Sequence, residues 1–271
     1  MAFEQITESS SNYQDIEKMA VPAMLEAINQ EDEKIAHAVN IAIPQISALV
    51  DIIISKLNNG GRLFYIGAGT SGRLGILDAS ECVPTFGVSA NLVTGVIAGG
   101  EEAIKSAVEF AEDNTSKGWE DLVSNQIGAN DVVIGISASG STPYVLNALR
   151  KAHENAVVTG SVVCNPGAPI SLISDYPIEI IVGPEFITGS TRMKSGTAQK
   201  MVLNMISTAV MVKLGHVKGN KMIHMQLNNE KLINRAVNIL METLQINDFE
   251  QAKQLLLSAG SLNEAFKKND L

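Results

Sequence analysis

Only two cysteines, Cys82 and Cys164, occur among the 271 residues. That excludes a disulfide-stapled scaffold and fits a reducing compartment. Aromatic residues are scarce at 4 %, so a core has to be built from Ile, Leu, Val, Ala and Met. Basic residues number 20 against 29 acidic ones, giving a formal net charge of −9. Such a chain lacks the clustered Lys and Arg that a nucleic-acid backbone demands, and no nucleic-acid partner is expected. A small anionic ligand remains open, because it needs only a few local donors. The first residues, MAFEQITESS, show no basic stretch followed by an apolar run, so no signal peptide is expected. The longest apolar region, 201–214, is interrupted by Asn204, Ser207, Thr208 and Lys213. It is too short and too polar to span a bilayer. A cytoplasmic protein without a membrane partner is the expectation. The four histidines have no ligand spacing and no nearby Cys or Asp partners, so no metal and no other cofactor is expected.

What is present is an alternation. Residues 14–58 carry Leu25, Ile28, Ile35, Val39, Ile43, Ile46, Val50 and Ile53 at three- and four-residue steps, which predicts helix. Pro44 marks a break or a first turn within it. Strands are predicted at 62–66, 92–97, 131–137, 157–164 and 178–182. Helices are predicted at 73–79, 101–112, 144–154 and 192–214 between and after them. Strands separated by helices imply a five-stranded parallel α/β sheet covered on both faces. Helical segments at 228–245 and 248–258 follow. Three regions are read: an N-terminal helical segment (1–58), an α/β core (59–225) and C-terminal helices (226–271).

The stretch YIGAGTSGRLG, residues 65–75, contains Gly67, Gly69 and Gly72 in the G-x-G-x-x-G spacing of dinucleotide sites. That reading requires an acidic residue at the end of the second strand. Here the strand runs into Ala98-Gly99-Gly100 instead. A nucleophile elbow fails because Arg73 stands where the second glycine belongs. A phosphate-binding P-loop fails because no Gly-Lys-Ser/Thr follows. What remains is a strand, a small-residue loop and a helix start, which together form an anion site. Thr70 and Ser71 add hydroxyl donors. The loop 137–142, SASGST, repeats the chemistry with Ser137, Ser139, Ser141 and Thr142.

Carboxylates near these loops are the candidates for proton transfer. Glu81 follows the first loop in LDASEC, on a short, mostly apolar helix. On a continuous helix over 101–113, Ile104, Ala107, Val108 and Ala111 form the apolar stripe. At about 100° per residue, Glu109 and Asp113 point away from it, whereas Glu101 and Glu112 flank it. The densest polar stretch is GPEFITGSTRMKSGTAQK, 183–200. It offers Glu185, Ser190, Thr191, Arg192 and Lys194 as further substrate contacts at a strand end facing a helix start.

Five motifs in order, IGAGTSGRLGILDASECVPTFG, IAGG, SASGSTPYV, CNPG and GPEFITGSTRMKSGTAQK, resemble the N-acetylmuramic acid 6-phosphate etherase family. These are sugar-isomerase (SIS) domain enzymes related to glucokinase regulatory proteins, and the resemblance covers about residues 5–265. It implies a flavodoxin-like three-layer fold with an incomplete helical module at 226–271. It also implies removal of D-lactate from a phosphorylated amino sugar, N-acetylmuramate 6-phosphate, without metal or redox cofactor. Glu81 is implied as proton donor and Glu112 as the second active-site carboxylate. The phosphate is implied on the loops bearing Thr70, Ser71, Ser137, Ser139, Ser141 and Thr142. A homodimer that builds a shared site is implied too, with the N-terminal helices as interface material. Val83 departs from the proline common at that position. A two-domain sugar-phosphate regulator would be about twice as long, and an aldose–ketose isomerase on the same fold needs no acid for an ether.

Overall fold

Strand alternation sorts the core into two faces. Leu63 and Tyr65 of β1 (Leu63–Gly67) turn to one side of the sheet, and Phe64 and Ile66 to the other. The computed structural model describes residues 3, 5–227 and 229–268. The outermost positions of the expected terminal segments, and position 228 where the first C-terminal helix was expected to begin, lie outside the described residues.

The remaining strands are β2 (Val93–Ile97), β3 (Val132–Ile136), β4 (Val158–Val163) and β5 (Tyr176–Glu179). All pair in parallel, in the order β2-β1-β3-β4-β5. On one face lie α1 (Val21–Ile41), α2 (Ile43–Asn58), α3 (Gly69–Phe86) and α8 (Lys194–Lys213). On the other lie α5 (Lys117–Ser124), α6 (Pro143–Glu154) and α7 (Pro169–Ile173). The expected three-layer fold is therefore present, with the flavodoxin-like strand order.

Pro44 sits in the first turn of α2, just after the break at Ala42. α1 and α2 meet there at 57°, the break expected at Pro44, but the helix expected from residue 14 starts only at Val21, after a 3₁₀ turn at Ile16–Lys18. Both feed buried side chains such as Ile35, Val39, Leu49 and Ile53 into the sheet's core. Among the described residues, no single helix is long and apolar enough to cross a membrane; only this bent pair passes together.

Three local expectations are corrected. α3 begins at Gly69, four residues early, and runs to Phe86. β5 pairs over Tyr176–Glu179 rather than 178–182. β4 ends at Val163, and Ile180 N donates to its carbonyl as the last sheet bond. Residues 101–113 are not one helix. A single turn, α4 (Glu102–Lys105), gives way to an irregular segment and then a 3₁₀ turn at Ala111–Asp113. The stripe used to rank Glu109 against Glu112 therefore does not exist.

A small hairpin, β6 (Val217–Lys218) with β7 (Lys221–Met222), leads into α9 (Glu230–Leu244), α10 (Phe249–Ala259) and α11 (Leu262–Lys267). These helices share a separate apolar cluster, including Val237, Leu240, Leu256 and Phe266. Asn229, Asp248 and Ser261 cap their N-termini through side-chain acceptors.

Candidate functional site

β1 and β3 are neighbours, yet the chain leaves them for opposite faces, by α3 and α6 respectively. That opens a crevice at their carboxyl ends, the switch point where ligands of such sheets sit. Both hydroxyl-rich loops lie there. Neither α3 nor α6 has a side-chain cap, so their first-turn N–H groups are left for a ligand or water.

The glycines of the first loop serve close packing. A Cβ on Gly72 would lie 2.8 Å from the Gly67 carbonyl oxygen and 2.6 Å from Ile97 Cγ1. Ser71 is buried, and its hydroxyl donates to Gln199 Oε1 at 2.9 Å. Thr70 is half-buried against Gly196 of α8. The first turns of α3 and α8 thus meet beside the crevice.

The second loop is cross-linked by its own hydroxyls. Ser137 Oγ lies 2.8 Å from Thr142 Oγ1 and accepts from Gly140 N at 3.0 Å. Ser139 Oγ accepts from the amide and the hydroxyl of Ser141, at 3.3 and 3.2 Å. Gly140 has φ +71°, and a Cβ there would meet Ala168 Cβ at 2.3 Å, so only glycine fits this turn. From behind, Asn165 Nδ2 donates to the Ser139 carbonyl at 3.0 Å.

Residues 183–193 form a third wall. Glu185, fully buried, accepts from the amides of Lys194 and Ser195 at 2.9 Å and from Ser195 Oγ at 2.7 Å. It caps α8 electrostatically. Lys194 is buried as well, its ammonium 2.6 Å from Glu31 Oε2. Ser190 is half-buried and Arg192 exposed.

Glu112 sits on the 3₁₀ turn and lines a cleft of about 210 Å³ with Ala68, Gly69 and Arg73 of the first loop. Arg73 donates to the carbonyls of Ile104 and Ser106, at 3.1 and 3.0 Å, and so holds the irregular segment in place. A larger cleft, about 830 Å³, runs along the outer side of β2. It shares Val108, Glu109, Phe110 and Ala111 with the Glu112 cleft. Glu81 lies elsewhere, exposed, in a cleft of about 230 Å³ beside Thr85, Leu232 and Arg235. From Gly69 to Glu81 is twelve helical steps, roughly 18 Å at about 1.5 Å each.

Comparison with known proteins settles the family. The chain is 55 % identical to the N-acetylmuramic acid 6-phosphate etherase of Bacteroides thetaiotaomicron, over 98 % of this chain and 96 % of that one. It is 56 % identical to the enzyme of the same name from Christiangramia forsetii, over 95 % and 94 %. It belongs to the N-acetylmuramic acid 6-phosphate etherase family. Residues 45–153 match the glucokinase regulatory protein N-terminal SIS domain, and 110–209 the SIS domain. The phosphoheptose isomerase of Neisseria gonorrhoeae superposes with a TM-score of 0.54 at 18 % identity, over 70 % of this chain and 98 % of that one. That likeness concerns the fold alone.

Within this etherase-family chain, the structure places Thr70, Ser71, Ser137, Ser139, Ser141 and Thr142 at the carboxyl ends of the neighbouring strands β1 and β3, with Glu112 lining a cleft beside the first loop. It does not bring Glu81 to that crevice, nor give Glu81 the apolar setting its sequence neighbours suggested. Glu185 and Lys194 are committed to buried partners. Sequence reasoning missed Gln199, Asn165 and the role of Arg73, although all three stand in quoted motifs. Gln199 Nε2, beside Ser71, is buried with no hydrogen-bond partner among the described residues. Among the described residues, no group of three or more His, Cys, Asp or Glu is arranged to hold a metal.

Proposed function

We propose that this chain cleaves the D-lactyl ether of N-acetylmuramate 6-phosphate, giving N-acetylglucosamine 6-phosphate and D-lactate. The observation that carries this reading is the convergence of two uncapped, hydroxyl-rich helix starts at the switch point, with Glu112 in the adjoining cleft. The phosphate takes the N–H groups and hydroxyls of the two loops. With the sugar ring open, C2–H is acidic because it adjoins the aldehyde. A carboxylate base removes that proton, and the C2 electron pair forms the C2–C3 double bond. The C3–O bond breaks, and lactate's oxygen receives a proton from the acid. Water then adds across the double bond. Glu112 and Glu81 are the two carboxylates of this scheme, with Glu81 as the proton donor.

The roughly 18 Å between Gly69 and Glu81 supports a shared site, in which Glu81 serves the crevice of a second copy. Leu77, one turn before Glu81, and Met205 and Val212 on the neighbouring α8 are exposed apolar side chains. Val21 and Leu25 on α1 are exposed as well. A homodimer face along these helices would cover them. Cytoplasmic placement fits two free, buried thiols.

Lactate release from N-acetylmuramate 6-phosphate tests the reading. Glu81→Ala and Glu112→Ala are each expected to lose about 10²–10⁴-fold in rate. No lactate from the unaltered protein overturns the reaction, and a full rate in either variant overturns its role.

A further inference from the structure

Among the described residues of the N-terminal segment before α1, regular structure is confined to two 3₁₀ turns, Ile6–Glu8 and Ile16–Lys18. Even so, Thr7 is fully buried. Its amide donates to Asn165 Oδ1 at 3.0 Å, and its hydroxyl accepts from Asn165 Nδ2 at 2.9 Å. Asn165, also fully buried, sits two residues past β4. Its amide nitrogen has two hydrogens. One goes to Thr7, and the other to the Ser139 carbonyl at 3.0 Å. Every polar atom of the Asn165 side chain is therefore used, and among the described residues its side-chain partners belong to this N-terminal segment, a strap across the fold, and to the serine loop.

The strap is tied at a second point. Ser11 N donates to Thr188 Oγ1 at 2.9 Å, and Ser11 Oγ donates to the Phe186 carbonyl at 2.7 Å. The Tyr13 ring packs on Phe186 at 4.9 Å between centroids. Residues 7–13 thus bridge the serine loop and the 183–193 wall. The Thr7 hydroxyl meets the Asn165 amide at the point where the segment crosses behind the serine loop.

We infer that Thr7 is a positioning residue: its hydroxyl sets the Asn165 amide, which fixes the Ser139 carbonyl and so the phosphate-binding shape of the loop 137–142. The inference rests on the reading that this loop takes the sugar phosphate. An amide holding two acceptors cannot rotate without losing both. Without the Thr7 oxygen, Asn165 has an unpaired buried N–H, and only the Thr7 amide and the Ser139 carbonyl still hold its side chain.

The test compares the unaltered protein with Thr7→Val, Thr7→Ser, Asn165→Asp and Ser141→Ala, measuring lactate release and its inhibition by inorganic phosphate. Thr7→Val keeps the shape and removes the hydroxyl. It is expected to raise KM and the inhibition constant of phosphate together, by about tenfold, the scale of one lost buried hydrogen bond. Its kcat is expected to stay within about twofold. Thr7→Ser keeps the hydroxyl, loses a methyl, and is expected to restore both constants. Asn165→Asp keeps the acceptor but loses both donors, and is expected to give the same KM split even if Thr7→Val fails to fold. If Ser141→Ala raises KM and neither Thr7→Val nor Asn165→Asp does, the positioning role is overturned while the phosphate loop stands. If Thr7→Ser is as impaired in KM as Thr7→Val, the hydroxyl is not the cause and the inference fails. If Ser141→Ala leaves KM and phosphate inhibition unchanged, the phosphate loop itself fails and the inference falls with it.

Discussion

Replacing Glu31 by glutamine removes one charge from a buried pair and strands the other. The Lys194 ammonium lies 2.6 Å from Glu31 Oε2, and the two side chains are 2 % and 4 % exposed. Glu31 has other donors: Lys34 at 2.6 Å, itself largely exposed, and the Tyr13 hydroxyl at 3.2 Å. Lys194 has no second carboxylate among its ion pairs in the described residues. The two single deletions are therefore unequal. Glu31→Gln leaves a buried, uncompensated ammonium, which costs about 3–5 kcal/mol. That corresponds to a fall in Tm of roughly 10 °C for a chain of this size. Lys194→Met leaves an anion that still has Lys34 and Tyr13, and is expected to cost about 1–2 kcal/mol. The double variant removes both charges and is expected to be more stable than Glu31→Gln alone. Thermal and denaturant melts of the four proteins at neutral pH close the cycle. Equal single effects that add in the double variant would refute the pairing. Acid adds a second reading of the same pair. Burial opposes the Glu31 charge, but Lys194 and Lys34 outweigh it and hold the carboxyl below its ordinary range. A depressed folded value contributes stability that is complete above the unfolded value and is lost as pH falls through the folded one. The unaltered protein should therefore lose more stability on acidification than Glu31→Gln does.

Two further outcomes are expected. Burial pushes the Cys82 and Cys164 thiols up to about 12, with Asp78 and Glu81 adding to the effect at Cys82. Neither should react with a chromogenic disulfide in the native protein at mild pH, and both should react on unfolding; rapid titration of a native thiol would contradict this burial. Separately, differently tagged Glu81→Ala and Glu112→Ala chains, co-expressed and purified as mixed pairs, should regain lactate release that neither parent shows. A silent mixed dimer, formed from chains that each fold, would rule out a carboxylate donated across subunits.

The parts of this molecule that could be read from the chain are those set by neighbours in sequence. Short continuous apolar runs such as Leu63-Phe64-Tyr65-Ile66 and the glycine-rich exits located the strands and both hydroxyl loops, because each depends on a few adjacent residues. The segment 101–113 shows where that reasoning stops. Its apolar spacing suits a helix, and a helix would spend the carbonyls of Ile104 and Ser106 on amides four residues later. Arg73, 31 and 33 residues upstream of them, takes those two carbonyls instead. Phe110 is left at φ +59° and 81 % exposed, a backbone state unusual for a bulky residue. The chain then turns back so that Glu112 lines the same cleft as Gly69. Glu112 thus adjoins the first loop because the helix is broken, not because it flanks a helical stripe. The buried partners that tie the N-terminal residues to the core are equally remote: Thr7 with Asn165, 158 residues apart, and Glu31 with Lys194, 163 apart. No window of local periodicity contains both members of such a pair. Arg73 belongs to both descriptions. It closes the G-T-S-G-R motif that announces the loop, and by capturing two carbonyls it decides where the second candidate carboxylate stands.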